Sequence, residues 1–222
     1  MKTVLITGVH KGIGHALMET FLTKGFFVIG TFLRDRPEPH EYLKDVALDL
    51  GKPESIASCV SAITNVGKSI DILINNAGIL ADEKETQVII DKLRKTLEVN
   101  LIGTIDFTQQ LLPLMSEGSH IVNVSSTAGS LELVGKASHF PGHYPAYKIS
   151  KAALNMYTRT LALELEDRGI TVSSIHPGWT KTDMGGKEAE FTPEQAAEGI
   201  YRLAVSKLES GGFWFAGERL PW

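Results

Sequence analysis

The first strand-to-helix connection of the chain reads Thr7-Gly8-Val9-His10-Lys11-Gly12-Ile13-Gly14. The β-forming run Thr3–Thr7 precedes it, and apolar residues at three- and four-residue steps follow it, as in an amphipathic helix. A glycine turn between a strand and a helix is the context in which proteins bind the pyrophosphate of a dinucleotide. We expect Gly8 to permit the tight turn, Gly12 to let a pyrophosphate approach the backbone, and Gly14 to let the helix pack closely on the sheet.

The amino end of the following helix supports the same interpretation, because its free N–H groups and positive dipole end attract phosphates. A glycine-rich connection can also be no more than a turn. The strand before it and the helix after it favour the cofactor-binding interpretation. The predicted cofactor-binding residues of this connection are Gly8, His10, Lys11, Gly12, Ile13 and Gly14.

The composition is that of an ordinary globular protein, with 222 residues of which 43% are hydrophobic and 22% charged. We expect residues 1–222 to form a single domain, because no repeat, low-complexity tract or linker interrupts them. A net charge of −4 gives no support for a nucleic-acid or membrane partner. Cys59, the single cysteine, cannot form an internal disulfide, and no run is apolar enough to span a membrane, so we expect a cytoplasmic protein.

Strand-like runs alternate with helix-length patterns along the whole chain, which predicts βαβ units and a parallel sheet. The predicted fold class is α/β, a Rossmann-type doubly wound sheet of about seven strands with helices on both faces. The carboxyl ends of such strands meet at one edge of the sheet, where this architecture binds ligands. Gly8, Asn76, Ser126 and Pro177 all lie at predicted strand ends, which indicates one shared site.

The second strand, predicted at Phe26–Phe32, bears on the choice between the two nicotinamide cofactors. Enzymes that use NAD usually have an acid at the end of this strand, where it binds the ribose 2′-hydroxyl. Here that acid is missing, and Lys11, Arg34 and Arg36 are available to neutralise a 2′-phosphate. The two arginines can also be ordinary solvated charges. The missing acid, together with Lys11 beside the middle glycine, leads us to expect NADP(H) rather than NAD(H).

The third strand is predicted at Val46–Leu50 and the fourth at Ile70–Ile74. Asp49, near the end of the third strand, lies close enough to Pro53 to cap a helix that begins there. The fourth strand is followed by Asn75-Asn76-Ala77-Gly78. Two adjacent asparagines at the end of a buried strand must be hydrogen-bonded, either to neighbouring strands or to a cofactor.

Asn100 falls inside a long helical pattern that continues to Met115, although asparagine is a poor residue for a helix interior. It is either a polar residue on an exposed face or a functional one. The segment Thr127–Pro145 is long for a loop, and we expect it to form a wall of a substrate pocket. Its two histidines, His139 and His143, have no partners at metal-ligand spacing, so no metal site is predicted.

Tyr144 and Tyr147 each have a lysine four residues on, which is one helical turn. Pro145 distinguishes the two pairs, because proline is favoured at the first position of a helix and leaves Tyr144 outside it. Tyr147 and Lys151 therefore share one face of a helix predicted at Ala146–Asp167.

This tyrosine–lysine pair suits the transfer of a proton to a carbonyl oxygen. A free tyrosine titrates near pH 10, and lowering its pKa by about three units requires about 4 kcal/mol of preference for the phenolate. A lysine ammonium about 4 Å away contributes about that much at an effective dielectric constant near 20. We therefore expect Lys151 to lower the pKa of Tyr147, and a strand-end serine, Ser125 or Ser126, to orient the substrate oxygen.

Together, the glycine connection T-G-x-x-x-G-x-G, the N-N-A-G stretch, the strand-end serines and the Tyr-x-x-x-Lys pair resemble the short-chain dehydrogenase/reductase family over essentially the whole chain. The resemblance implies an NADP(H)-dependent oxidoreductase that interconverts a carbonyl and an alcohol. It implies Tyr147 as the acid/base, Lys151 as the residue that tunes it and holds the ribose, and Ser126 rather than Ser125 as the catalytic serine. It also implies that Asn100 kinks its helix and supports a proton relay to the lysine.

The same resemblance extends the predicted cofactor site. It implies that Asp49 contacts the adenine ring with Leu50 beneath it, and that the N-N-A-G stretch lines the adenosine side. It places a Pro-Gly turn beside the nicotinamide, with Thr182 holding the carboxamide. With Tyr147 and Lys151, the predicted cofactor residues beyond the first connection are Arg34, Asp49, Leu50, Asn76, Ala77, Gly78, Pro177, Gly178, Thr180 and Thr182.

Within the family, the stretch His176–Gly186 and the ending Leu220-Pro221-Trp222 resemble the subgroup of C-factor and sniffer carbonyl reductases. Ser126 and Tyr147 are farther apart than in many members, which changes the shape of the pocket rather than its chemistry. Members often dimerise through the helix of the tyrosine–lysine pair, so we expect a homo-oligomer acting on a small carbonyl or alcohol. The alternative is an NADP-binding sensor or signalling protein with little turnover, against which the intact catalytic set argues.

Overall fold

The computed structural model describes residues 1–136 and 142–222 of the chain. The strands of this part are β1 (Thr3–Ile6), β2 (Phe27–Phe32), β3 (Leu43–Ala47), β4 (Ile72–Asn75), β5 (His120–Val124), β6 (Thr171–Ile175), β7 (Gly212–Phe215) and β8 (Glu218–Arg219). The α-helices are α1 (Gly12–Thr23), α2 (Pro53–Thr64), α3 (Ile90–Leu97), α4 (Gly103–Leu111), α5 (Pro145–Glu164) and α6 (Pro193–Val205).

The described strands form one sheet in the order β3-β2-β1-β4-β5-β6-β7-β8. They run parallel except for β8, which pairs antiparallel with β7. The chain moves outward from β1 to β3 and then crosses back to β4 on the other side of β1. This reversal opens a crevice at the carboxyl ends of β1 and β4, where open α/β sheets bind ligands. The predicted doubly wound α/β fold is confirmed, and the short β8 brings the sheet to eight strands instead of about seven.

Helices cover both faces of this sheet because the residues of its central strands alternate in direction. Val4 and Ile6 of β1 pack with α1 and α6 through residues such as Phe21. Leu5 points the other way and packs with α2, α4 and α5 through residues such as Phe107. None of the helices in the described ranges combines the length and the apolar character needed to cross a membrane.

The third strand differs from its predicted position. β3 covers Leu43–Ala47 rather than Val46–Leu50, because the earlier residues pair in parallel with β2. Asp49 lies beyond the strand in a turn, where its Oδ1 accepts a hydrogen bond of 3.0 Å from the main-chain N of Gly51. The N-cap residue of α2 is Lys52, so the alternative in which Asp49 caps that helix is wrong.

The fourth strand begins two residues later than predicted and includes Asn75. Asn75 Nδ2 donates to Thr108 Oγ1 of α4 at 2.9 Å and to Asn123 Oδ1 of β5 at 2.8 Å. The expectation that this asparagine bonds to its neighbours is thereby confirmed. Asn75 therefore ties the centre of the sheet to α4.

The predicted pocket wall Thr127–Pro145 is described only in part, because residues 137–141, which include His139, lie outside the described residues. Its first residues form a 3₁₀ turn at Thr127–Gly129. Ser130 Oγ then donates a hydrogen bond of 3.0 Å to the main-chain oxygen of Pro221. The last residues of the chain therefore pack against this wall.

Candidate active site

The glycine connection after β1 forms an open cradle at the amino end of α1. Gly12 has a φ of +59°, a left-handed conformation that residues with side chains rarely adopt. A Cβ atom on Gly14 would lie 2.0 Å from the main-chain oxygen of Gly8, so this close packing requires a glycine. The N-cap residue Lys11 provides no side-chain cap and the first turn of α1 contains no acid, so its N–H groups are available to an anion.

Residues from two other strand ends border this cradle. Asn76, after β4, donates from Nδ2 to the main-chain oxygen of Thr7 and from its main-chain N to Thr7 Oγ1, both at 2.9 Å. Thr182, after β6, is so close that a Cβ atom on Gly12 would lie 3.2 Å from its Cγ2. The structure thus brings predicted residues from three separate connections around one crevice.

The three cations predicted to bind a 2′-phosphate have different partners. Lys11 Nζ pairs with Asp183 Oδ2 at 2.5 Å, and Arg36 Nε pairs with Asp45 Oδ2 at 2.5 Å. Arg34 forms no ion pair with any residue that the structure describes, and it lines a cavity of about 720 Å³ beside Asp49. Lys11 and Asp183 are both largely exposed, and ion pairs between exposed side chains are weak. Of the three cations, Arg34 is thus the one without a competing ion pair in the described part of the chain.

The other predicted cofactor residues lie around the same edge with partners of their own. His10 Nε2 lies 3.3 Å from Asp35 Oδ2. Leu50 is buried in the core behind the turn of Asp49. Thr180 Oγ1 donates to the main-chain oxygen of Gly178 at 3.1 Å. Partly exposed positions after the ends of β1, β4 and β6 are occupied by Ile13, Ala77, Gly78 and Pro177.

Tyr147 lies in the first turn of α5, as the sequence predicts. The helix begins at Pro145, and Tyr144 is the N-cap residue outside it. Its α-helical part ends at Glu164, before the predicted end at Asp167, and a 3₁₀ turn follows. The position of the proline therefore does decide which of the two tyrosines enters the helix.

The environment of Tyr147 is almost closed to solvent, with 8% of the residue exposed. Burial raises the pKa of Tyr147 to about 12, although a hydrogen bond with the Ser126 side chain lowers it. The sequence predicts that Lys151 lowers this pKa, and the structure differs because desolvation of the phenolate outweighs the other contributions. Tyr147 is accordingly held in its protonated form at neutral pH.

Lys151 lies one helical turn beyond Tyr147, and only 5% of it is exposed. Its Nζ donates a hydrogen bond of 2.9 Å to the main-chain oxygen of Val124 and lies 5.6 Å from the centre of the Tyr147 ring. Burial lowers the pKa of Lys151 to about 8. A Cβ atom on Gly78 would lie 3.8 Å from the same Nζ, so the ammonium also faces the N-N-A-G turn.

The two strand-end serines have different partners, which sequence reasoning alone does not predict. Ser125 Oγ donates to Asn155 Oδ1 at 2.6 Å and is turned toward the body of α5. Ser126 Oγ accepts a hydrogen bond of 3.1 Å from the main-chain N of Ala128, and its side chain also bonds to Tyr147. Ser126 is thus the serine whose hydroxyl meets the phenol.

Asn100 lies in a π-helical segment, Glu98–Ile102, that joins α3 to α4. Its Oδ1 accepts from the main-chain N of Ile79 at 2.7 Å, and its Nδ2 donates to the Ile79 oxygen at 2.9 Å and to Ser150 Oγ at 3.1 Å. Ser150 Oγ donates in turn to the main-chain oxygen of Tyr147 at 2.8 Å. The interpretation of Asn100 as an exposed polar residue is wrong, since it is 1% exposed.

Sequence reasoning missed the contributions of Ser150 and of Asp82, whose carboxylate reaches the first turn of α5. Ser150 adjoins Lys151 in the predicted helix, so the sequence does indicate that it lies close to the tyrosine–lysine pair. Asp82 falls in a polar loop, and its partner is 64 residues away in the sequence, so no local pattern reveals it.

The residues at this edge fit a dinucleotide with a nicotinamide ring. The cradle has no Cβ atom at Gly12, where Thr182 Cγ2 borders it, and the N–H groups at the amino end of α1 have no side-chain cap. Tyr147, Ser126 and Lys151 lie at the neighbouring strand end, where a substrate would meet the cofactor. Such an arrangement can bind a phosphate-bearing cofactor and donate a proton to a substrate oxygen.

The chain is similar to several known proteins. The C-signal protein of Myxococcus xanthus is 33% identical over 164 residues, which cover 69% of this chain and 93% of that protein. An NADPH-bound carbonyl reductase from chicken fatty liver has a TM-score of 0.90 and 28% identity, over 100% of this chain and 99% of that one. The carbonyl reductase Sniffer of D. melanogaster has a TM-score of 0.88 and 30% identity over 100% of both chains.

A model of the short chain dehydrogenase family matches residues 2–192, which is most of the chain. The matched residues include the glycine cradle, the N-N-A-G turn, Ser126, Tyr147 and Lys151. The protein is therefore an oxidoreductase that belongs to the short-chain dehydrogenase/reductase family.

Proposed function

We propose that this protein is an NADP(H)-dependent carbonyl reductase in which Tyr147 donates the proton to the substrate oxygen. The observation that carries the proposal is the convergence of Ser126 and Lys151 on Tyr147 beside the glycine cradle. Tyr147 and Lys151 lie on α5 and Ser126 follows β5, and side chains of these three types can together move a proton to or from an oxygen atom.

The nicotinamide cofactor supplies the hydride in reduction and accepts it in oxidation. The N–H groups at the start of α1 would hold its pyrophosphate, and Lys151 would hold its ribose. The Ser126 hydroxyl orients the carbonyl oxygen toward Tyr147, and the Tyr147 phenol transfers its proton to that oxygen. In the reverse direction, the phenolate of Tyr147 takes the proton back from the alcohol.

Two pKa values bear on the proposed proton transfer. Tyr147, with a pKa of about 12, carries its proton at neutral pH and can donate it. Lys151, with a pKa of about 8, exchanges protons readily near neutral pH and can return one to the phenolate. Asn100 holds the turn around Ile79 beside this lysine, and its proposed role is to support that relay.

Preference for NADP(H) over NAD(H) is part of the proposal. Its support is the missing acid at the end of β2 together with Arg34, which lines the adjacent cavity without an ion-pair partner among the described residues. The chicken carbonyl reductase of similar structure binds NADPH. Lys11 would contribute once it leaves its exposed pair with Asp183.

The proposed substrate is a small aldehyde, ketone or quinone, in keeping with the carbonyl reductases of similar structure. We also propose a homo-oligomer, since α5 exposes Met156 and Leu163 on the side away from the sheet. The buried free thiol of Cys59 is compatible with the reducing cytoplasm that we propose as the location.

A second candidate function rests on the similarity to the C-signal protein. With this second function, the chain would bind NADP(H) as a sensor or signalling protein and turn over little substrate. The complete set of Asn100, Ser126, Tyr147 and Lys151 favours the enzyme, because binding alone does not need a buried proton donor.

The experiment is a titration of the purified protein with NADPH and NADH, followed by NADPH oxidation with a panel of aldehydes, ketones and quinones. The enzyme is expected to bind NADPH more tightly and to oxidise it with at least one panel member. Binding of NADPH without turnover on any member would favour the sensor. Failure to bind either nucleotide would contradict both candidates.

A further inference from the structure

Asp82 is a buried carboxylate in the loop between β4 and α3. Only 1% of the residue is exposed. Its Oδ2 accepts a hydrogen bond of 2.6 Å from the main-chain N of Ala146, the second residue of α5 and the neighbour of Tyr147. Its Oδ1 is buried and has no hydrogen-bond partner among the residues that the structure describes. A carboxylate is costly to bury with so few partners, so the bond from Ala146 is the contact in the described part of the chain that can offset this cost.

The amino end of α5 lacks the usual means of satisfying its N–H groups. Its N-cap residue, Tyr144, provides no side-chain cap and has a φ of +39°, in the left-handed region that non-glycine residues adopt at a cost. Asp82 supplies the missing cap from a different part of the chain. A negative charge at this end of a helix is also favoured by the helix dipole.

The same loop is attached to α5 a second time, on the other side of Tyr147. Ile79 is held through both its main-chain groups by Asn100, which also donates to Ser150 Oγ. Ser150 Oγ donates to the main-chain oxygen of Tyr147. The loop therefore contacts α5 directly at Ala146, through Asp82, and indirectly at Ser150, through Asn100. Tyr147 lies between these two positions in the helix.

We propose that Asp82 is a positioning residue for Tyr147: it fixes the first turn of α5 so that the phenol stays against Ser126. The inference rests on the proposed function, in which Tyr147 is the proton donor. It adds that the loop after the N-N-A-G turn sets the position of the proton donor as well as one side of the cofactor crevice. Without Asp82, the first turn of α5 frays while the rest of the helix keeps its packing on the sheet.

The test compares Asp82→Ala, Asp82→Asn and a matched control, Thr158→Val. Thr158 is a fully buried residue on the same helix, and its Oγ1 hydrogen-bonds to Ser174 Oγ at 2.8 Å. For each variant we would measure kcat, the Kd for NADPH, the thermal midpoint and amide hydrogen exchange of the peptide covering the first turn of α5. These readouts separate a displaced proton donor from a generally weakened fold.

Asp82→Ala is expected to lower kcat by about tenfold to 100-fold, with the Kd for NADPH changed less than about twofold, because the cradle is built elsewhere. Exchange at the first turn should rise about tenfold or more, with other peptides unchanged. Asp82→Asn keeps the acceptor oxygen and should restore kcat to within about threefold of the wild-type value. Thr158→Val should lower the thermal midpoint and leave kcat and exchange of the first turn unchanged.

The proposal is overturned if Asp82→Ala keeps its kcat, if its kcat falls only as the fraction of NADPH-binding protein falls, or if Thr158→Val lowers kcat equally. Absence of turnover in the wild-type protein would instead contradict the proposed function. In that case the exchange measurement still tests whether Asp82 fixes the first turn of α5. Unchanged exchange of that turn in Asp82→Ala would overturn the proposal.

Discussion

Lys151 Nζ donates a hydrogen bond of 2.9 Å to the main-chain oxygen of Val124, the last residue of β5. This bond ties the face of α5 that carries Tyr147 and Lys151 to a central strand end and keeps the Lys151 Nζ beside the Tyr147 ring. It also keeps the lysine away from water, and burial lowers its pKa from 10.5 to about 8. The buried position that the proposed mechanism requires of Lys151 therefore reduces the stability of the fold.

The first prediction is that Lys151→Met abolishes turnover and raises the free energy of unfolding at pH 7 by about 1 to 3 kcal/mol. The folded pKa of about 8 lies below the unfolded value of 10.5, so the unfolded chain binds more protons between them. The wild-type protein thus gains stability as pH rises from 8 to 10.5, and the advantage of the variant should shrink over that window. Urea unfolding of both proteins at pH 7 and pH 10 measures the difference in their free energies of unfolding. A variant less stable than the wild type at pH 7 would contradict the account.

The second prediction separates the two strand-end serines. Ser126→Ala should lower kcat about 100-fold, because it removes the hydroxyl that bonds to Tyr147. Ser125→Ala should leave kcat within about threefold and reduce the free energy of unfolding by about 1 kcal/mol, because it loses the buried bond to Asn155. Steady-state kinetics of both variants measure the change in kcat, and urea unfolding measures the change in the free energy of unfolding. The reverse order of kcat values would show that the wrong serine has been chosen.

The third prediction concerns cofactor choice. Arg34→Ala should raise the Kd for NADPH by about tenfold or more and change the Kd for NADH little, because only NADPH carries the 2′-phosphate. Arg36→Ala is the matched control, since Arg36 is already paired with Asp45 and should affect NADPH less. Fluorescence titration of the wild type and both variants with both nucleotides gives the ratio of each variant's Kd to the wild-type Kd. Equal losses for NADPH and NADH in Arg34→Ala would rule out a 2′-phosphate contact.

The fourth prediction concerns His120, a buried residue far from the proposed chemistry. Its Nδ1 lies 3.2 Å from the main-chain oxygen of Ala204 and its Nε2 lies 3.0 Å from Ser173 Oγ. Burial lowers the pKa of His120 from 6.5 to about 4, although the bond to Ala204 raises it.

The folded state therefore resists protonation that the unfolded state accepts, and stability is lost as pH falls from 6.5 to 4, by at most about 3 kcal/mol. Urea unfolding across this range should show a shallower decline in His120→Gln, which cannot titrate. The same decline in both proteins would assign the acid sensitivity to other groups.

The parts of the site that sequence analysis predicts correctly are those set by local rules. Proline at the first helical position leaves Tyr144 outside α5, and the helical repeat then places Tyr147 and Lys151 on one face. The glycine connection is equally local, since a strand, a turn and the amino end of a helix follow one another directly in the chain.

The errors and omissions concern partners that are distant in sequence. The bounds of β3 are set by pairing with β2, which the residues at 46–50 do not reveal. The bond between Asp82 and Ala146 joins residues 64 positions apart, and no spacing indicates it. The raised pKa of Tyr147 follows from how completely the surrounding elements exclude water, which only the assembled structure shows.

The most direct test of the central claim is NADPH oxidation by the wild-type protein and by Tyr147→Phe, with a carbonyl substrate from the panel. The account predicts that the variant binds NADPH with a Kd within about twofold of wild type and loses turnover by about a thousandfold, because phenylalanine keeps the ring and removes the proton donor. A variant that binds NADPH and still reduces the substrate at the wild-type rate would show that the proton comes from another group.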